Sequence, residues 1–454
     1  MSQIDRRRIA ALTEAQQERY RNRTGGSAEA FGRALSVMPK GVPSAFQAND
    51  PWPVFLTHGA GSRVWDVDGN EYRDFHNGSG VMVVGHANPR IGSAVKARID
   101  EGTHFGAATV GPVNVATELS RRFGLPHWCY SNSGSEAITD AIHIARAATG
   151  RDLVLKVEGA YHGDHDSVMG SVYPSLEALE ACEGLAVVPY GGGVPASVLE
   201  LTRAVPYNDV ERLEAALEAI GEQVACLIME PVMTNINIVL PRDGYLQKAR
   251  ELTAKYGVKL IFDEIKTGAT VAAGGVTERF SVEPDMVALA KAICGGYPGA
   301  ALGIADDLAA DILDGKVSYY GTFNGNPMVM AAAETTLGEV LTADAYEHLE
   351  QTNQRMLDGC QRVVDSYGLP AYTEGLGAKG CVVFAPERLD SYRDYLTNAD
   401  AELSRLAWLF QMNAGNLATP GTEADWTLSI AHSEPEVERY VSAFEEFASE
   451  VTRA

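Results

Sequence analysis

The chain has 454 residues, 46% of them hydrophobic, with six scattered cysteines and a formal net charge of −23. This length allows a large core and more than one domain, whereas the charge argues against a nucleic-acid partner and the cysteine spacing against a metal site or a disulfide framework. Because no apolar segment approaches membrane-spanning length and the N-terminal residues are charged, we expect a cytoplasmic protein without a membrane partner.

Short apolar segments alternate with amphipathic helical patterns through the middle of the chain. The predicted helices include 135–148, with Gly150 as a stop signal, 210–220 and 245–256. The predicted strands are 127–131, 153–157, 185–188, 225–229, 258–262, 286–290 and 300–304. This alternation is typical of βαβ units, and it predicts an α/β fold with a mainly parallel seven-stranded sheet between helices.

Both chain ends show a different pattern. The N-terminal sequence "SRVWDVDGNEYRDF" is typical of a hairpin. Helical patterns at 327–341 and 345–367 are followed by two strand-like sequences, "KGCVVFAP" and "WTLSIAHS". We therefore predict that residues 1–75 and 331–454 form a smaller α+β domain, and that residues 76–330 form the large domain.

In open α/β sheets, ligands bind beyond the carboxyl ends of the strands, so the residues after each strand are candidate site residues. The first strand is followed by "SNSGSEAIT", in which Ser133, Gly134 and Ser135 begin a helix. Free N–H groups and the helix dipole make this an anion site, most often for phosphate. The alternative for the serine is an ordinary N-cap.

The loop after the second strand, "EGAYHG", contains Tyr161 and His162 between glycines. Charged residues follow three further strands: Glu230 in "IMEP", Asp263 in "IFDEIKTG" and Lys291 in "KAICGGYPG". A carboxylate at the end of a strand buried on both faces is costly unless a cation lies beside it. For Asp263 alone, a structural lysine or arginine could be that cation.

Pyridoxal phosphate accounts for all five loops together. It offers a phosphate to the helix N-terminus, a ring on which an aromatic side chain can stack, and an aldehyde that reacts with a lysine. Its pyridine nitrogen, kept protonated by a carboxylate, is the cation expected beside Asp263. The sequence therefore predicts a pyridoxal-phosphate site.

The motifs "WDVDGNEYRDF", "GHANP", "NSGSEA", "EGAYHG", "PYND", "MEPV", "IFDEIKTG", "ALAKAICGGYPGAALG" and "GTFNGNP" occur in this order along the chain. Through them, from about residue 39 to residue 441, the chain resembles the class III (fold-type I) pyridoxal-phosphate-dependent aminotransferases. Within that family it is most similar to the glutamate-1-semialdehyde 2,1-aminomutase branch. The resemblance implies fold type I, a small-molecule amino donor and carbonyl acceptor, and a homodimer with shared active sites.

The resemblance also implies roles for individual residues around the cofactor. Lys291 would form the Schiff base, Asp263 would contact the pyridine nitrogen, Tyr161 would stack above the ring, Ile265 would pack beneath it, Gly134 and Ser135 would bind the phosphate, and Thr322 would reach the phosphate of the neighbouring subunit. Ser133 and His162 belong to the same cofactor-binding loops. Glu230 matches a carboxylate that lines the site in the family.

Three positions depart from the aminomutase pattern. Gln47 lies near the position of an arginine thought to bind the substrate carboxylate, and Ser79 lies where aminomutases carry a tryptophan. Lys266 replaces a residue that is usually apolar. A glutamine does not supply the bidentate contact of an arginine. Lys266 could be a replacement anion contact, or a solvated loop lysine.

Three other functions compete with the aminotransferase interpretation. "GLGAKG" formally matches a dinucleotide-binding fingerprint, but a strand follows it where that fingerprint requires a helix, so we interpret it as a turn. A non-catalytic binding protein would not need both Lys291 and Asp263. Racemisation or decarboxylation would use the same cofactor residues. We therefore predict an aminotransferase that moves an amino group from a donor to a keto or aldehyde acceptor, with the intramolecular aminomutase as the alternative.

Overall fold

The computed structural model of the protein describes residues 4–421 and 425–453. Over these residues the chain forms fourteen β-strands and sixteen α-helices. The strands are β1 (Leu56–Ala60), β2 (Arg63–Asp66), β3 (Glu71–Asp74), β4 (His127–Ser131), β5 (Leu153–Val157), β6 (Thr202–Val205), β7 (Val224–Met229), β8 (Lys259–Asp263), β9 (Met286–Leu289), β10 (Ala300–Ile304), β11 (Tyr372–Leu376), β12 (Lys379–Val383), β13 (Asn416–Leu417) and β14 (Asp425–Thr427).

The helices vary from four to 25 residues in length. They are α1 (Arg6–Arg23), α2 (Gly25–Leu35), α3 (Pro89–Glu101), α4 (Gly111–Phe123), α5 (Gly134–Thr149), α6 (Leu176–Glu180), α7 (Ala196–Leu199), α8 (Val210–Ile220), α9 (Tyr245–Tyr256), α10 (Gly275–Phe280), α11 (Asp306–Leu313), α12 (Pro327–Thr335), α13 (Ala343–Tyr367), α14 (Tyr392–Asn398), α15 (Ala401–Asn413) and α16 (Glu434–Thr452). No helix of the described residues is both long and apolar enough to cross a membrane.

The chain divides into two compact units. The large unit comprises Pro89–Tyr346 and Leu389–Thr397, and the small unit comprises the chain up to Asn88, Glu347–Arg388 and the chain from Asn398 onward. The domain boundaries predicted from the sequence, after residues 75 and 330, fall inside segments of these units and stay a prediction.

The large unit is built on one seven-stranded sheet, with the strand order β4-β10-β9-β8-β7-β5-β6. β10 is antiparallel to both of its neighbours, and the other four pairings are parallel. Strands β5, β7, β9 and β10 are buried along their whole length, as expected for a sheet covered on both faces. The predicted α/β fold of type I with a mainly parallel seven-stranded sheet is confirmed.

One predicted strand is wrong. Residues 185–188 form an irregular, partly exposed segment, and the edge strand of the sheet is instead β6, which pairs with β5 through Val154 and Thr202. The segment "LAVV" has the stronger apolar pattern, whereas "TRAV" is short and contains Arg203. The segment that becomes the strand is the one that pairs with the free edge of β5. The apolarity of a short segment does not predict that pairing.

Three helices near the sheet agree with the sequence patterns. α8 and α9 have the predicted bounds, and α5 ends before Gly150, whose φ of 67° lies in the left-handed region that a C-capping glycine adopts. The pattern at 327–341 is two structures: α12 ends at Thr335, and Thr336–Val340 is a π-helical segment. The next predicted helix corresponds to α13.

The small unit contains two further sheets. In the first, with the order β1-β2-β3-β13, the predicted hairpin corresponds to the antiparallel pair β2 and β3. The second has the order β11-β12-β14. The "GLGAKG" sequence forms the tight connection between β11 and β12, where Gly377 has a φ of 59°. The interpretation of this sequence as a turn is confirmed.

Candidate active site

Three charged residues predicted from the sequence lie at one edge of the large sheet. β7, β8 and β9 are adjacent and parallel, with Met229 paired to Phe262 and Asp263 paired to Ala288. Glu230 follows β7, Asp263 ends β8, and Lys291 follows β9 by two residues. Because the strands run in the same direction and in register, these three residues come to the same end of the sheet.

Asp263 is a buried carboxylate, with 5% of its surface exposed. Its Oδ2 lies 2.8 Å from His162 Nδ1, and its Oδ1 accepts the N–H of Ile265 at 3.1 Å. Over the described part of the chain, no lysine or arginine nitrogen lies within 4.0 Å of it, so a structural Lys or Arg is not its partner. Its side-chain partner is an imidazole instead.

His162 is fully buried, and only one of its ring nitrogens has a partner in the described chain. A hydrogen on Nδ1 would point to Asp263, leaving Nε2 as an unpartnered acceptor. The imidazole therefore fixes the orientation of the carboxylate from one side. The sequence placed His162 in a cofactor loop but gave no sign of this contact.

Two buried groups hold the loop that carries Tyr161. The N–H of Tyr161 donates to Glu230 Oε1 at 3.0 Å, and Lys156 Nζ, on β5, donates to the carbonyls of Ala160 and Gly170 at 2.8 and 2.7 Å. Burial lowers the pKa of Lys156 to about 7, against the opposing charge of Glu230. Sequence reasoning missed Lys156, although a lysine inside the apolar strand "LVLKV" was a visible signal. Tyr161 itself is 38% exposed.

Glu230 is buried and bound by protein donors. In addition to the Tyr161 N–H, its carboxylate accepts the N–H of Thr234 at 3.1 Å and the side-chain amide of Asn235 at 2.9 Å. These bonds join the loop after β5 to the loop after β7. Glu230 therefore positions Tyr161, and its predicted contact with the cofactor stays a prediction.

Lys266 extends the same network. Its Nζ donates to the backbone carbonyl of Thr234 and, at 3.1 Å, to Asn235 Oδ1. The side chain is half-buried and its two acceptors are protein oxygens, and its role as an anion contact stays a prediction.

Lys291 begins the 3-10 helix Lys291–Cys294 with a φ of 51°, a left-handed conformation that is uncommon for a residue with a side chain. Burial above all, together with the charge of Lys266, lowers the pKa of its amine to about 8, although the charges of Asp263 and Glu230 act in the opposite direction. Within the described residues, no acceptor lies within hydrogen-bonding distance of its Nζ. An amine with this pKa is neutral at mildly alkaline pH and can act as a nucleophile.

The two serines at the start of α5 have different hydrogen-bonding roles. Ser133 is the N-cap: its Oγ accepts the N–H of Glu136 at 3.3 Å, and Glu136 accepts the N–H of Ser133 in return at 2.9 Å. The N-cap alternative is therefore correct for the Ser133 hydroxyl. Ser135 Oγ accepts the N–H of Asp164 at 3.0 Å.

The N–H groups of Gly134 and Ser135 precede the first intrahelical bond, which runs from Ala137 N to Ser133 O. They are the donors that a phosphate could use at this helix start. A Cβ atom at Gly134 would overlap the end of the Ile265 side chain, which would have to move to accept a larger residue. The close approach brings the loop after β8 against the start of α5.

Glu264, the second carboxylate of "IFDEIKTG", has a structural role that the sequence did not reveal. It is fully buried and accepts the N–H groups of Val276 and Thr277 at 2.7 and 2.8 Å and the hydroxyls of Thr277 and Thr267 at 2.7 and 3.0 Å. Two neighbouring carboxylates thus have different surroundings, because four donors satisfy Glu264 and two satisfy Asp263.

The three remaining predicted residues lie outside these networks. Thr322 is exposed, in a segment that contacts the start of α5 through Asn324 and Asn132, 3.2 Å apart. Gln47 and Ser79 belong to the small unit: the exposed Gln47 accepts the N–H of Ser44 at 3.2 Å, and Ser79 occupies a turn with a φ of 58°. Their roles toward substrate, and that of Thr322 toward a neighbouring subunit, stay predictions.

Comparison with known proteins agrees with this geometry. Residues 45–399 match the family model described as aminotransferase class-III. A glutamate-1-semialdehyde 2,1-aminomutase of Desulfitobacterium hafniense is 35% identical over 421 residues, which cover 91% of this chain and 95% of that protein.

Two solved structures show the same fold at full length. A glutamate-1-semialdehyde-aminomutase of Pseudomonas aeruginosa PAO1 in complex with PMP has a TM-score of 0.91 and 28% identity, covering 99% of both chains. An omega-transaminase of Sphaerobacter thermophilus has a TM-score of 0.87 and 30% identity, covering 94% of this chain and 97% of that one.

The donor set of the site fits pyridoxal phosphate. A buried carboxylate without a lysine or arginine partner suits a protonated ring nitrogen, two N–H groups at a helix start suit a phosphate, and an amine of lowered pKa suits an aldehyde. The chain belongs to the class-III aminotransferase family, and it is an enzyme whose cofactor is pyridoxal 5′-phosphate.

Proposed function

We propose that the protein is a cytoplasmic transaminase that moves an amino group from a donor to a separate keto or aldehyde acceptor, and that Lys291 is its catalytic amine. The observation that carries the proposal is the placement of Lys291 and Asp263 at neighbouring strand ends, with the pKa of the lysine lowered to about 8. A buried carboxylate and a nucleophilic amine at one sheet edge are the two groups that this chemistry requires.

The residues that would hold the cofactor come from four loops. Asp263 would bind the protonated ring nitrogen, Gly134 and Ser135 would donate their N–H groups to the phosphate, and Tyr161 and Ile265 would cover the two faces of the ring. The bound cofactor supplies an electron sink for the charge left when the donor loses a proton from carbon. Thr322 of a neighbouring subunit would complete the phosphate site. In this proposal the enzyme is therefore a homodimer.

Lys291 has two tasks in this proposal. Its amine would hold the cofactor through the aldehyde, and as a free amine it would take the proton from the donor carbon as general base and return it as general acid. A base works best when its pKa lies near the operating pH, and a value of about 8 meets that condition. His162 holds Asp263 in place through the 2.8 Å contact.

The aminomutase is the second candidate, supported by the 35% identity to proteins of that name. That reaction moves nitrogen within one molecule, so the enzyme must retain a diamino intermediate by its carboxylate. Gln47 and Ser79 stand at positions matched to the arginine and the tryptophan of aminomutases, and neither carries a charge. These two residues favour the two-substrate transaminase.

Lys291→Ala tests the assignment of the catalytic amine. Borohydride treatment of the wild-type holoenzyme should attach the mass of the reduced cofactor to the peptide containing Lys291, because only a lysine amine forms that bond. The variant should lose both the adduct and turnover. Lys259→Ala is the matched control, since Lys259 lies at the opposite end of β8 and pairs with Asp307. An adduct retained in Lys291→Ala would contradict the assignment.

The lowered pKa of Lys291 predicts the pH dependence of cofactor attachment. Below pH 8 the amine is protonated and unreactive, so the rate at which the apoenzyme forms its covalent bond with pyridoxal phosphate should rise with a midpoint near 8. An ordinary lysine would give a midpoint above 10. The measurement is the absorbance change after mixing at a series of pH values, with Lys291→Ala as the blank. A midpoint above 10 would show that the site does not perturb this amine.

A reaction supplied with a single substrate separates transaminase from aminomutase. Glutamate-1-semialdehyde is supplied to the enzyme loaded with PMP, with no external keto acid or amine, and 5-aminolevulinate is measured. Loss of one charge-assisted contact should speed escape of the intermediate by about ten- to a hundredfold, so the yield should be low. Gln47→Arg should increase it. Efficient 5-aminolevulinate formation by the wild type, faster than turnover with any donor and acceptor pair, would establish the aminomutase instead.

A further inference from the structure

Lys266 is a half-buried cation without a carboxylate partner. Its two acceptors, the Thr234 carbonyl and Asn235 Oδ1, are neutral oxygens. Across the described chain, no carboxylate oxygen lies within 4.0 Å of its Nζ. An ammonium group has three N–H donors, so one donor remains for a further acceptor. No carboxylate pairs directly with this half-buried charge, so an anion that enters beside it would be stabilised.

Hydrogen bonds to other loop residues fix the position of this ammonium group. Asn235 donates its side-chain amide to Glu230 at 2.9 Å, which turns its Oδ1 toward Lys266. Glu230 is itself held by the N–H groups of Tyr161 and Thr234. A lysine side chain held by a chain of hydrogen bonds loses less conformational entropy when it binds a ligand than a mobile surface lysine does.

The same ammonium group lies at the catalytic edge of the sheet. Lys266 follows Asp263 by three residues, and the Glu230 carboxylate links its partner Asn235 to the loop of Tyr161. Its charge is also felt by Lys291, whose pKa it helps to lower. A cation placed here, with one free donor, acts on whatever anion enters beside the catalytic amine.

We infer that Lys266 binds the carboxylate of the amino donor, so that the enzyme prefers amino acids to simple amines. The inference rests on the proposed transaminase function, because it names the class of donor for that reaction. An ammonium–carboxylate contact is charge-assisted and stronger than a contact between neutral groups. Lys266 could instead contact an oxyanion of the cofactor, either its phosphate or its ring oxygen. The test distinguishes a contact with the donor carboxylate from a contact with the cofactor.

The test compares donors of equal shape with and without a carboxylate. The pairs are L-alanine and isopropylamine, β-alanine and propylamine, and 4-aminobutyrate and butylamine, in each of which a methyl group replaces the carboxylate. With the holoenzyme, Lys266→Met should lower kcat/KM for the preferred amino acid by about ten- to a hundredfold more than kcat/KM for its amine, because a change in the pKa of Lys291 affects both donors alike. Lys266→Gln, which keeps one donor but no charge, should resemble Lys266→Met.

Two controls complete the design. Lys259→Met removes the same charge from the other end of β8 and should change kcat/KM for neither donor of a pair. Butyrate, which has a carboxylate but no amine, should bind the wild-type holoenzyme, as followed by the visible absorbance of the cofactor without any donor. Its Kd should weaken about tenfold in Lys266→Met and remain unchanged in Lys259→Met.

The outcomes separate three cases. An equal loss for amino acid and amine, with unchanged butyrate binding, would mean that Lys266 contacts the cofactor, and would overturn the inference. Unchanged kinetics for both donors would overturn it as well. If the wild type converts no donor of any pair, the proposed transaminase function fails, while the butyrate Kd values still decide whether Lys266 binds a carboxylate.

Discussion

The site depends on one buried carboxylate that the protein leaves incompletely neutralised. Asp263 ends a strand that lies in the middle of the large sheet, and its two protein partners are the imidazole of His162 and the N–H of Ile265. A carboxylate in such surroundings strongly stabilises a positive charge placed beside it. The protonated ring nitrogen of pyridoxal phosphate is such a charge, and we propose that it lies beside Asp263.

The other buried carboxylates at this edge have their hydrogen-bonding capacity filled by protein donors. Glu264 accepts four donors from its own loop and from the start of α10, and Glu230 binds the loops after β5 and β7 together. Both therefore act as structural anchors. The lysines divide in the same way: Lys156 is bound to two carbonyls, whereas Lys291 has no hydrogen-bond acceptor among the described residues. Reactive and structural charges are thus distinguished by their partners.

The sequence predicted the sheet and the charged strand ends because doubly buried strands have clear apolar runs that stop at polar residues. It did not predict β6, since pairing with β5 decides that strand. Nor did it reveal Lys156, whose two acceptors, Ala160 and Gly170, belong to different parts of a loop. The Asn235 and Lys266 contact also depends on two separate loops. Residue type and spacing predict where strands and helices end. Contacts between loops depend on how the chain folds and cannot be predicted in this way.

Asp263→Asn tests the central claim most directly. Asparagine keeps the size of the side chain and can accept a hydrogen bond from His162, but it removes the charge that would keep the ring nitrogen protonated. The variant should fold and bind pyridoxal phosphate, as shown by its circular dichroism and visible absorbance. Loss of the donor's carbon-bound proton, followed in single turnovers with a deuterated donor, should slow by about a hundredfold or more, and each factor of ten corresponds to about 1.4 kcal/mol of barrier. Near-normal single-turnover rates would show that another group faces the ring nitrogen and that Asp263 is structural.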